Sequence, residues 1–120
     1  MTKLKPIFRI FDYTKAIEFY IDWLGFKIKN EHTFGENFPI YLQISLGDIE
    51  IHLSEHHGDC SPGAKVIIEN FPSIKDFHKN LLQKDYKYNK PGIEPYWNPE
   101  ILSFEVTDPF GNKINFTGPA

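Results

Sequence analysis

At 120 residues and a formal charge of −3, the chain is long enough for one domain with a real core, and its interspersed charges form no clustered basic face for a polyanion. Its apolar runs are short and broken by charge, well under the roughly 20 residues that cross a bilayer, so neither nucleic acid nor membrane is expected as a partner. The single cysteine, Cys60, has no intrachain partner, and the segment before residue 6 lacks the apolar stretch of a leader, so a cytoplasmic protein is expected.

Residues 6–11 are apolar with Arg9 set among them, which suits a strand that Asp12 breaks. From Thr14 the period changes. Ala16, Ile17, Phe19, Tyr20, Trp23 and Leu24 recur at three- and four-residue steps with Lys15, Glu18 and Asp22 opposite, the pattern of an amphipathic helix. Asp12 or Thr14 can accept its first free N–H groups, and Gly25 can end it in the left-handed conformation. Residues 26–31 predict a half-exposed strand, followed by a loop with Gly35, Asn37 and Pro39, then a strand over 40–46. Gly47-Asp48 supplies a tight turn. Ile49, Ile51 and Leu53 then alternate with Glu50, His52 and Ser54, so one face of this hairpin is buried and the other is turned to water or a ligand.

The polar stretch 55–63 reads as a connection, after which the order recurs. A strand is expected over 64–69, and a helix capped by Ser73 carries Ile74, Phe77, Leu81 and Leu82 on its apolar stripe. A short strand over 86–88, a proline- and aromatic-rich loop over 90–99, and a hairpin of strands 101–106 and 113–117 around the turn at 108–112 complete the second half. The chain is thus expected to be a single domain, 1–120, with half-repeats at about 4–56 and 63–118, each a βαβββ unit.

Three places carry ligand-type chemistry. His52, Glu55, His56, His57 and Asp59 crowd the end of one strand and the loop after it, where they can hold a metal, bind a ligand or stand as solvated loop side chains. Adjacent histidines on extended backbone point apart, so His56 and His57 do not grip one ion together. Cys60 is a nucleophile only if its thiolate is stabilised, and no nucleophile elbow or phosphate-cradling glycine loop is present. The third place is Glu94-Pro95-Tyr96-Trp97-Asn98-Pro99, where two large rings between prolines suit stacking on a planar ligand, with Glu94 and Glu100 to draw in a cationic group. The 11 Phe, 6 Tyr and 2 Trp make 16% of the chain aromatic, and these rings either line such a pocket or fill strand faces, Trp97 included.

The phrases Ala16-Ile17-Glu18-Phe19-Tyr20-Ile21-Asp22-Trp23-Leu24-Gly25-Phe26 and Val106-Thr107-Asp108-Pro109-Phe110-Gly111-Asn112-Lys113-Ile114-Asn115-Phe116, with the order of elements between them, resemble the glyoxalase/bleomycin-resistance superfamily, also called the vicinal oxygen chelate proteins. The segments 52–59, 92–97 and 101–116 look most like its bleomycin-resistance branch. The resemblance implies an α+β fold of two βαβββ modules forming a half-open mixed-sheet cleft, in a homodimer often built with an exchanged N-terminal strand. In that superfamily's enzymes a divalent metal is held at places that fall near Lys5 and Gly63, near Glu50 or His52, and at Asn115. A lysine, a glycine and an asparagine replace imidazoles and a carboxylate poorly, so no metal, cofactor or catalytic residue is expected.

What the resemblance then implies is a protein that sequesters a bleomycin-type antibiotic or a similar cationic or aromatic compound and so confers resistance. The residues offered for this are Phe38, Tyr41, Tyr96 and Trp97 for stacking, Glu55, Glu94 and Glu100 for charge, and His52 and His56 as hydrogen-bonding groups. Two alternatives stand beside it: a divalent-metal lyase, isomerase or dioxygenase using His52, His56 and Glu50 or Glu105, and a dimeric scaffold without a ligand.

Overall fold

Each half of the chain folds as a four-stranded mixed sheet with one helical segment, in the order β-α-β-β-β, so the expected α+β architecture of two βαβββ modules is present. The computed structural model describes residues 1–33 and 35–120; Phe34, inside the loop expected before residue 40, lies outside the described residues. One unit comprises Met1–Ala64 with Asp108–Asn112, the other Lys65–Thr107 with Lys113–Ala120.

In the first unit β1 (Ile7–Arg9) is shorter than the apolar run predicts. Asp12, not Thr14, caps α1 (Tyr13–Ala16), its Oδ1 accepting the Lys15 N–H at 3.0 Å. The expected α-helix continues only as a π-helical segment, Ile17–Trp23. Its N–H groups bond five residues back, as Leu24 does to the Phe19 carbonyl at 2.9 Å, a wider winding that suits three large buried rings on one side. Phe19 and Tyr20 meet edge to face at 4.7 Å, and Gly25, at φ 91°, ends the segment as its sequence position predicts.

Three strands follow: β2 (Lys27–Thr33), β3 (Ile40–Leu46) and β4 (Ile49–Ser54). They assemble in the order β1-β4-β3-β2, with β1 parallel to β4 and the other pairs antiparallel. Leu42, Ile44, Ile51 and Leu53 are buried on one face, which leaves Tyr41, Gln43, Glu50 and His52 to the opposite face by the two-residue period of a strand. β2 is exposed along its whole length, more than alternation predicts, as befits an edge strand.

The second unit repeats the topology as β5 (Lys65–Ile68), α2 (Ile74–Gln83), β6 (Glu94–Pro95), β7 (Ile101–Thr107) and β8 (Lys113–Pro119), in the order β5-β8-β7-β6. Its core is aromatic: Phe104 stacks on Phe116 at 5.1 Å, and Phe71 and Phe77 close on Phe116 at 5.1 and 5.2 Å. Ser73 precedes α2, but in a left-handed conformation at φ 55° with no side-chain cap, so its carbonyl and not its hydroxyl serves the helix start. No strand forms over 86–88. Asp85 at φ 54° turns the chain there, and Asn89 donates its side-chain amide to the Thr107 carbonyl at 2.7 Å, so a side chain serves the β7 end where a strand was expected. The place of the second strand is taken by the two residues of β6. Among the described residues no helix is long and apolar enough to cross a membrane.

Candidate functional site

The two units place the nine sequence-predicted site residues in separate local settings. In the first, β3 and β4 run antiparallel with Gln43 opposite His52, which sets Tyr41 diagonal to His52 on the polar face. The Tyr41 hydroxyl lies 2.6 Å from His52 Nδ1, and His52 Nε2 lies 2.9 Å from Glu50 Oε2. Lys29 Nζ meets Glu50 Oε1 at 2.8 Å and Lys5 Nζ meets Oε2 at 2.9 Å. Lys29 reaches across because β2 slips register between Ile28 and Asn30, a bulge that re-aims it toward β4. Its ammonium, then His52, then Lys5, hold the Glu50 carboxyl well below the usual carboxylate range. Burial, with Asp59 and Cys60 nearby, raises the Tyr41 phenol.

Phe38 and Glu55 share a hollow of about 250 Å³ with Asn37 and Pro39. Glu55, however, spends its carboxylate on the Ile40 N–H at 3.0 Å, while its carbonyl accepts from Arg9 at 2.6 Å. His56 starts the turn after β4, its N–H on Ser54 Oγ at 3.0 Å, and Ser54 donates to Asp59 at 2.6 Å. These bonds order the loop.

In the second unit Tyr96, Trp97 and Glu100 come together in a groove of about 790 Å³, with Glu69, Asn70 and the Thr117–Ala120 end of the chain on its walls. Glu94 is outside that lining, on β6 opposite Ser103. The loop carrying the rings is tied by its own backbone and the Asn98 side chain: Tyr96 N–H to Ile101 carbonyl at 2.9 Å, Ile101 N–H to Asn98 carbonyl at 3.1 Å, and Glu100 N–H to Asn98 Oδ1 at 2.8 Å. The rings sit 5.3 Å apart edge to face, and Trp97 is 82% exposed, so the possibility that it packs into its own core is set aside. Gly118 lets the groove floor approach Phe71, since a Cβ there would fall inside the contact distance of the Phe71 carbonyl.

The donor set that the sequence points to for a divalent ion does not suit one. Lys5 brings an ammonium to Glu50, and both Glu50 oxygens are engaged by lysines. Asn115 is bonded to Ser103 at 3.0 Å and to Thr117 at 2.6 Å. Among the described residues no three of His, Cys, Asp and Glu converge as a metal site requires. The sequence reading missed Lys29, which only a bulge brings in, and Glu69, which directly follows β5 and precedes Asn70, where the chain turns at φ 58°.

Residues 1–119 match the sequence pattern of a family described as glyoxalase superfamily protein. No curated protein matches the chain by sequence. Among solved structures, a bleomycin-binding protein complexed with bleomycin is similar over 100% of both chains at 16% identity and a TM-score of 0.69. TnmS3, an antibiotic binding protein from Streptomyces sp. CB03234, is similar at 19% identity over 100% of this chain and 98% of its own, with a TM-score of 0.70. A glyoxalase family protein from Enterococcus faecalis is similar at 16% identity over 95% and 93%, with a TM-score of 0.62. At these identities the likeness concerns the fold.

Proposed function

We propose that this chain, which belongs to the glyoxalase superfamily, captures a small organic molecule stoichiometrically and releases it chemically unchanged. One observation carries the reading. Two rings stand out from the protein on a loop fixed by its own backbone bonds, beside Glu69 and Glu100 on the wall of the same groove. A preordered ring pair loses little entropy on stacking, and carboxylates next to it favour a planar or aromatic ligand with positive charge. Bleomycin-type antibiotics have that character, and the fold shared with a bleomycin-binding and an antibiotic-binding protein supports them as the first class to try. Resistance by capture, action in the cytoplasm and assembly as a homodimer complete the proposal.

Catalysis at a divalent metal is the weaker reading, because lysines occupy the carboxylate it needs. Thermal unfolding measured with metal-free bleomycin and, separately, with divalent ions decides between them, since whatever binds the native state raises its melting temperature. Bleomycin should raise it and be recovered intact. Stabilisation by a divalent ion alone would move the assignment to a metal-dependent lyase, isomerase or dioxygenase.

A further inference from the structure

Glu50, His52 and Tyr41 form a line of hydrogen bonds whose direction is set at its inner end. A carboxylate gripped by two ammonium groups can only accept, so the His52 Nε2 that faces it at 2.9 Å carries a proton. In the neutral ring Nδ1 is then a lone pair. Tyr41 stands 2.6 Å from that lone pair, so the phenol donates its one hydrogen inward. All three residues are half-buried, and with Lys5 and Lys29 closing the Glu50 end, the line is left open at the phenol.

At that open end the phenolic oxygen keeps lone pairs and has no hydrogen to offer. Donation into a strong acceptor also enriches the oxygen, because bonds in a chain polarise one another. Asp59, which accepts from Ser54 at 2.6 Å, is close enough to raise the phenol. A phenolic oxygen that can only accept favours a ligand that supplies the hydrogens.

We propose that Tyr41, oriented by His52 and Glu50, is the acceptor of a second ligand site, within the first unit, for an organic cation bearing N–H groups, such as a primary ammonium or an amidinium. A quaternary ammonium, with no N–H, gains nothing from it. The site shares no residue with the Tyr96–Trp97 groove and does not rest on the function proposed above.

The test uses the whole chain with two probes, benzamidine and benzyltrimethylammonium, and reads the ¹⁵N resonances of the His52 ring at mildly alkaline pH. His52 should carry its proton on Nε2, and benzamidine should shift the Nδ1 resonance. Tyr41→Phe should weaken benzamidine binding at that resonance about tenfold or more while leaving benzyltrimethylammonium unchanged. Trp97→Ala should not alter the benzamidine response, which separates this site from the groove. A proton on Nδ1, no benzamidine response, or an equal effect of Tyr41→Phe on both probes would overturn the proposal. Should Tyr41→Phe fail to fold, the tautomer and the benzamidine shift in the unaltered chain decide it.

Discussion

Tyr20 donates its hydroxyl hydrogen to Asp108 Oδ2 at 2.7 Å, joining residues 88 positions apart in sequence. Both are buried, and the remaining acceptor sites of Asp108 take the N–H groups of Phe110 and Asn112 and the Asn112 side-chain amide, each at 2.8 Å. Asn112 in turn donates to the Arg9 carbonyl at 2.8 Å. The Asp-Pro-Phe-Gly-Asn turn is therefore a wired part of the first unit. Tyr20→Phe removes one bond from a buried carboxyl and should cost about 1–3 kcal/mol of stability, read by urea unfolding. Burial raises the Asp108 carboxyl above its ordinary 3.8. The group's contribution to stability is thus fully present below 3.8 and is lost as pH rises through the raised value, and the Tyr20→Phe deficit should widen over that rise because a bond to the ionised form is the stronger one.

Glu50 has the opposite sign. Its carboxyl is depressed from 4.5 by Lys29, His52 and Lys5, so the stability it contributes is fully present above 4.5 and is lost as pH falls through the lowered value. Glu50→Gln should be less stable than the unaltered chain at neutral pH, with the two curves converging in acid. A stability difference that stays constant with pH would contradict the ion-pair cluster.

Gly118→Ala should destabilise the protein by about 1–3 kcal/mol, because the new methyl group meets the Phe71 backbone and not a side chain that can rotate away. The same change should weaken any ligand of the groove that Gly118 lines. Calorimetric unfolding with and without bleomycin measures both.

Trp97→Ala should leave stability within about 0.5 kcal/mol, since the ring is 82% exposed. Binding in the groove should fall by about 2 kcal/mol. An isothermal titration indistinguishable from that of the unaltered chain would remove Trp97 from the site.

Cys60 should alkylate more slowly than a free thiol at neutral pH. Burial and then Asp59 raise it, and Arg9 offsets them only in part. Iodoacetamide kinetics against glutathione provide the comparison.

Most of the fold was legible because its signals are local. The edges of β3 and β4 follow from strict alternation on either side of Gly47-Asp48, and the buried positions 16, 19, 20 and 23 follow from helical spacing. What was hidden depends on neighbours the sequence does not name. The widening of Ile17–Trp23 into a π-helix leaves the buried face unchanged, so periodicity cannot detect it. Tyr86-Lys87-Tyr88 alternates like a strand, yet Asp85 turns the backbone just before it. At the candidate sites, residue types were readable and their engagements were not: Glu55 looked available for a ligand but closes the start of β3, and Lys29 enters the Glu50 cluster only through a register slip.

The two modules keep one topology, but the seven residues of β2 correspond to only two in β6. Little of the segment between α2 and β7 is therefore committed to a ladder, and insertions or exchanges there break few backbone pairings. Laboratory diversification aimed at residues 96–100, leaving the sheets untouched, would be the economical way to vary the groove to which capture is assigned in the proposal above.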